Sequence, residues 1–158
     1  MTTNSTTPDD RFARLDIHLP DAPTSIGAYV PAVQTGNLLF LSGMLATSGH
    51  TATVVGIVGK ALDVKAGREA AYTAALNVLA LTKKQLGSLD RVSHVVRLGV
   101  YVAATPEFTG HPKVADAASD LLRDVFGEEA TSSRLVFGVA SLPLGSPVEL
   151  EVILEVKP

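Results

Sequence analysis

Between Val64 and Leu86 the apolar residues recur at helical spacing, while on either side they alternate in twos, so a chain built this way must lay helices across a sheet. Ala71, Ala74, Ala75, Val78, Leu79 and Leu86 share one face of that helix, and Arg68, Glu69, Lys83 and Lys84 fall elsewhere. Asp63 stands where an N-cap is wanted and Gly87 where a left-handed C-terminal residue is wanted. The many alanines predict a close approach between this helix and whatever covers it. A second helix is predicted from about Pro112 to Phe126, with Val114, Ala117, Ala118, Leu121, Leu122 and Val125 at helical spacing and Gly127 closing it.

The remaining segments read as strands. Tyr29 to Gln34 and Leu38 to Ser42 flank Thr35-Gly36-Asn37 and predict a hairpin. Residues 46 to 53 read as a loop, and Val54 to Val58 as a short strand. Val92 to Ala103, Ser133 to Ser141 and Pro147 to Val156 complete the set. Residues 1 to about 20 sustain no apolar period and read as a flexible tail before a single domain over 21–158. The expected order is β-β-β-α-β-α-β-β, an α+β fold with a mixed sheet and two helices on one face. Two helices cover only one face, yet Leu39, Leu41, Val136, Ala140 and Ile153 cannot all lie beneath them with their neighbours. The other face calls for a second subunit, so a homo-oligomer with sites between subunits is expected.

Composition removes several classes of function. The 158 residues contain no cysteine, hence no disulfide framework, thiolate nucleophile or cysteine-held metal, which fits a reducing, cytoplasmic setting. With 13 Lys+Arg against 16 Asp+Glu, the net charge of -3 is wrong for gripping nucleic-acid phosphates. The polar N-terminus does not resemble a signal peptide, and no apolar run suits a membrane span. There is no dinucleotide fingerprint or phosphate loop, and His18, His50, His94 and His111 are scattered without metal-ligand spacing. No metal or cofactor is expected.

Chemistry concentrates in the last third of the chain. Strand alternation places Arg134 with Val136, Gly138 and Ala140 on one face, and Leu135, Phe137 and Val139 on the other. A guanidinium opening an apolar strand face either forks a ligand carboxylate or pairs with a surface glutamate. Glu149 and Glu151 lie opposite Val148, Leu150 and Val152, giving a solvated acidic face or, if this strand lies beside that of Arg134, a carboxylate that holds a water near an arginine-bound substrate. Tyr29 and Ser42 are either polar caps of the hairpin or, with the bare backbone of Gly43, groups offered to a ligand.

Together these residues carry a family likeness. Gly27-Ala28-Tyr29-Val30-Pro31-Ala32-Val33, then Gly36-Asn37-Leu38-Leu39-Phe40-Leu41-Ser42-Gly43, then Arg134 ahead of Val139-Ala140-Ser141-Leu142-Pro143 and Val148-Glu149-Leu150-Glu151, resemble the Rid family, also called the YjgF-like or reactive-intermediate deaminase family. The likeness spans about residues 22 to 157. It implies a chorismate-mutase-like domain that forms a trimer around a central barrel, with clefts between subunits. The implied activity is cofactor-independent hydrolysis of enamines and imines such as 2-aminoacrylate to a 2-oxo acid and ammonia. By the same resemblance Arg134 matches the residue that binds the substrate carboxylate, and Glu149 the one associated with the attacking water. Tyr29, Ser42 and Gly43 match cleft residues. Val136 stands where cysteine is common, and Asp116 where a longer branch of the family has asparagine, so an acid faces the expected anion. Two alternatives stand beside the hydrolase: a binding protein that senses a 2-oxo acid, and a pathway enzyme using the same cleft for another carbonyl or imine reaction. Endoribonuclease activity ranks last, because the chain is acidic and its 5% aromatic content offers few stacking platforms.

Overall fold

The computed structural model describes residues 6–158. In chain order the elements are α1 (Pro8–Arg14), β1 (Ala32–Thr35), β2 (Leu38–Leu41), β3 (Met44–Leu45), β4 (Thr47–Ser48), β5 (Thr51–Ala52), α2 (Val64–Leu86), β6 (Val92–Ala103), α3 (His111–Phe126), β7 (Ser133–Val139) and β8 (Val148–Val156). The main sheet runs β1-β2-β8-β6-β7, with β3 also paired to β8, while β4 and β5 form a separate small ribbon. Only the β6–β7 pairing is parallel.

Helix α2 spans the residues its periodicity marks. The Asp63 carboxylate accepts from the Ala66 amide, and Gly87 closes the helix at φ 81. The small residues bring α2 and α3 together, since a Cβ on Gly67 would stand 3.0 Å from Val114 Cγ2. Helix α2 packs on the face of β8 that carries Val148, Leu150, Val152 and Leu154, each at most 1% exposed, and α3 packs on β6 and β7. Leu39, Leu41 and Val136 also lie on this helix face, the first two buried and the third half-buried against the core. Residues in register with Glu149, Glu151 and Ile153 form the other face. There Val33, Phe40 and Phe137 are 54%, 39% and 50% exposed, so the sheet has an open apolar face, as the strand patterns predict.

Three local expectations need correction. Val54 to Val58 is not a strand; only Val58 makes isolated bridges, to Leu62 and Ala104. The missing strand is β3, whose two residues extend the β2 edge of β8. Residues 46 to 53, read as a loop, hold the β4–β5 ribbon. The third correction concerns the N-terminus. Residues 1–5 of the expected tail lie outside the described residues, but α1 forms within it, begun by Thr7 and Asp10 as a reciprocal capping box with Pro8 in the first turn. Phe12 and Leu15 of this region pack on the core. The Asp9 amide donates to Asp90 at 2.8 Å, the Asp9 carboxylate receives Ser88 Oγ and Lys83 Nζ, and Arg11 Nη1 donates to the Phe126 carbonyl.

Burial pushes the Asp9 carboxyl up, but the Ser88 hydroxyl and Lys83 ammonium outweigh it and hold its pKa below 3.8. A lowered carboxylate contributes stability that is complete above the unfolded value and lost as pH falls through the folded one. Asp9→Asn should therefore cost about 1 kcal/mol at neutral pH, a low figure because the pair is partly solvated. Thermal melts of both proteins should differ at pH 7 and draw together as pH falls below 3.8 and through the folded value.

Candidate functional site

Ser42 and Gly43 form the interruption between β2 and β3, two short strands that pair with the same edge of β8. Ser42 Oγ donates to the Val30 carbonyl at 2.7 Å and its amide to the Pro31 carbonyl at 2.9 Å, which draws the segment before β1 over this interruption. Tyr29 arrives with that segment, and its hydroxyl accepts from the Ile26 amide at 3.2 Å. On the next strand Glu149 faces the same place. A Cβ on Gly43 would overlap Glu149 Oε1, so glycine is what lets the carboxylate lie against the backbone.

These four residues line one cavity of about 240 Å³, with Thr24, Ser25, Ile26, Met44, Pro143 and Leu144 among its other walls. Its floor is fixed from below. Asn77, 2% exposed on α2, donates from Nδ2 to the carbonyls of Leu45 and Thr47, each at 3.0 Å, supplying donors that short strands leave unmet. Loss of water pushes the Glu149 carboxyl up from its ordinary value of 4.5. Among the described residues that line the cavity none is a lysine, arginine or histidine, so no cation offsets this burial. A half-buried carboxylate with a raised pKa is suited to accept a proton from water and return it.

Arg134 lies apart. In one protomer β7 is not beside β8, because β6 runs between them. Arg134 pairs with Leu98 and Glu149 with Tyr101, which separates them by roughly 10 Å along the strands and roughly 10 Å across. They also project from opposite faces, Arg134 with the helices and Glu149 with the open side. The condition on which sequence reasoning joined them, adjacent strands, is thus not met within one protomer. Arg134 Nη1 instead donates to Asp116 Oδ1 at 2.7 Å and to Ser119 Oγ at 3.1 Å. Its side chain keeps 28% exposure, and its backbone lies on the free edge of β7. Arg134 and Asp116 line a second cavity of about 240 Å³ with Arg123 and Asp120. Val136 joins neither cavity.

Against known proteins the match is broad. A sequence model of the family described as "YjgF/chorismate_mutase-like, putative endoribonuclease" covers residues 9–156. The chain belongs to the YjgF/chorismate-mutase-like family. Protein TCP17 of Trypanosoma cruzi is 41% identical over 143 residues, 90% of this chain and 89% of that protein. A 2-iminobutanoate/2-iminopropanoate deaminase of Dermatophagoides farinae is 29% identical over 141 residues, 89% of this chain and 95% of that protein. The crystal structure of Atu1372 from Agrobacterium tumefaciens, a protein of unknown function, superposes with TM-score 0.86 at 36% identity, covering 95% and 92% of the two chains. The YjgF-like fold expected from the sequence is therefore established. Among the described residues no helix is long and apolar enough to cross a membrane.

Sequence reasoning did not single out Asn77 as a positioning residue or Leu144 as a wall of the cavity. Asn77 gives a signal, a lone amide in the apolar run Ala70 to Leu81. Leu144 sits in Pro143-Leu144-Gly145 at φ 60, a left-handed conformation costing about 1–2 kcal/mol in a leucine, and nothing in the residue type announces it.

The raised Glu149 pKa carries a sign opposite to that of Asp9. The folded chain binds the proton more tightly than the unfolded chain, so stability falls as pH rises from 4.5 through the folded value. Denaturant titrations from pH 4 to 8 should show this decline in the wild type and a flatter profile in Glu149→Gln.

Proposed function

We propose that this chain is a cofactor-independent hydrolase of reactive enamines and imines, working in a cleft between subunits of a homotrimer. The observation that carries the reading is the desolvated Glu149 carboxylate lying against Gly43 in a cavity with Ser42 and Tyr29 and no cation. Such a cavity is half a site for an anionic imine. It has a base but nothing to hold a carboxylate. Arg134, on the free edge of β7, is the group that a neighbouring protomer supplies to complete it, and the open apolar face gives the protomers a reason to associate. Similarity to the 2-iminobutanoate/2-iminopropanoate deaminase of Dermatophagoides farinae supports this substrate class.

In the proposed reaction 2-aminoacrylate takes a proton from solvent at its methylene carbon to give 2-iminopropanoate in its iminium form. Arg134 grips the carboxylate and presents the imine carbon. Water adds to that carbon while Glu149 takes its proton, giving a carbinolamine. Glu149 returns the proton to nitrogen, the C–N bond breaks as the hydroxyl proton of the carbinolamine passes back to Glu149 and on to solvent, and ammonia and pyruvate leave. One water is consumed, with no redox change. The Ser42 hydroxyl, whose proton goes to Val30, keeps lone pairs free to receive an N–H of the substrate.

One observation favours a second reading. Arg134 already holds Asp116 at 2.7 Å, so an incoming carboxylate must displace an internal one, as suits a sensor that binds a 2-oxo acid without turnover. The two readings separate when 2-aminoacrylate is generated in situ and pyruvate release is followed. The hydrolase reading expects acceleration over the uncatalysed rate, a loss of about 100-fold or more in Glu149→Gln, and a rise in KM in Arg134→Ala. An Arg134→Ala protein as fast as the wild type sinks the assignment, and stoichiometric oxo-acid binding with no acceleration supports the sensor.

A further inference from the structure

The cavity is divided by chemistry. Glu149, Ser42 and Thr24 supply its polar side, whereas Ile26, Met44 and Leu144 supply an apolar wall. Ile26 and Leu144 are 49% and 45% exposed, large apolar side chains left at the cavity mouth and outside the core. A wall of this kind faces water at a cost unless a ligand covers it.

Leu144 is also held there by force. Its φ of 60 and ψ of 10 suit glycine or asparagine, and a bulky residue in that region is an outlier. The surrounding loop leaves it no choice. The Gly145 amide donates to the Leu142 carbonyl at 3.2 Å, the Ser146 amide to the Pro143 carbonyl at 3.1 Å, and the Gly56 amide to the Gly145 carbonyl at 3.1 Å. Val55 occupies the space a Cβ on Gly145 would need, 2.7 Å from Cγ1. The turn would form more easily with glycine at 144, so the leucine side chain serves something other than the turn, and what it lines is the cavity.

We infer that Leu144 determines the specificity of this cavity, and that the compounds it selects are 2-imino acids, with their 2-oxo acid counterparts, whose side chains are branched or aromatic rather than a bare methyl. The inference rests on the imine-binding reading of the cavity and adds to it the part of the ligand beyond the reacting carbon. A three-carbon imine is satisfied by the polar side together with Arg134 and leaves the wall wet. A longer apolar side chain covers Leu144 and Ile26, and each added methylene in such a pocket is worth roughly 10-fold or more in discrimination.

The test uses the full chain and two readouts. Calorimetry with pyruvate, 4-methyl-2-oxopentanoate and phenylpyruvate measures binding without turnover. The wild type should bind the two larger acids about 10-fold or more tighter than pyruvate. Leu144→Gly and Leu144→Asn, which both tolerate the positive φ, should bring that ratio close to one by weakening the two larger acids more than pyruvate. Equal binding of all three acids by the wild type, no binding of any, an undiminished ratio in the variants, or a change in native mass in place of selectivity would each overturn the inference. Imines made in situ from alanine, leucine and phenylalanine by an amino-acid oxidase give the second readout. Turnover that ignores side-chain size contradicts the role of Leu144 and leaves the hydrolase reading standing. The binding preference without any turnover overturns the hydrolase reading alone.

Discussion

The strict alternation of β8 is the constraint from which the rest of the molecule follows. This central strand pairs with β2 and β3 on one edge and with β6 on the other, so its side chains can only go up or down. Val148, Leu150, Val152 and Leu154 go under the helices and anchor the core. Glu149 must then go the other way, onto a face no helix covers. A slip of one residue would bury the acids and expose the leucines, so the position of Glu149 is set by the same energetics that form the core. Gly43 completes the arrangement by leaving room for the carboxylate against the backbone.

The same logic separates the two charged groups of the proposed site. The parity of β8 sends Glu149 to the open face, while the parity of β7 sends Arg134 to the helix face, where Asp116 and Ser119 receive it. Within one chain the two cannot meet without breaking the sheet. Under the proposed function, association of protomers through the free edge of β7 and the exposed Val33, Phe40 and Phe137 would bring the two groups together.

Much of this was legible in the residues because it depends on local periodicity. Helix α2 runs from the capping Asp63 to Gly87 because both ends are written in residue types with short-range effects. The same holds for the hairpin turn at Gly36, φ 57, and for the faces of β7 and β8. What was hidden depends on partners distant in sequence. Val54 to Val58 has strand composition, yet only Val58 makes bridges while Met44–Leu45 pair with β8, and no local pattern reveals which segment finds a partner. The insertion of β6 between β7 and β8 is likewise a matter of strand order. Helix α1 was missed although Thr7-Pro8-Asp9-Asp10 carries a cap, because seven residues are too few to display a period. The grouping of Tyr29, Ser42, Gly43 and Glu149 was legible through the motif likeness, and the placement of Arg134 was not.

The claim that a base from one protomer and a guanidinium from its neighbour form one site is open to a direct measurement by subunit mixing. Arg134→Ala and Glu149→Gln proteins, the first slowed by its raised KM at low substrate and the second by about 100-fold, are unfolded together, refolded at equal ratio and assayed for imine hydrolysis at low substrate. If every site is shared across an interface, about one quarter of the sites in a random cyclic assembly regain both groups, and activity returns to about that fraction of wild type. If both groups act from the same chain, no mixed oligomer contains an intact site, and a mixture no more active than its components contradicts the account.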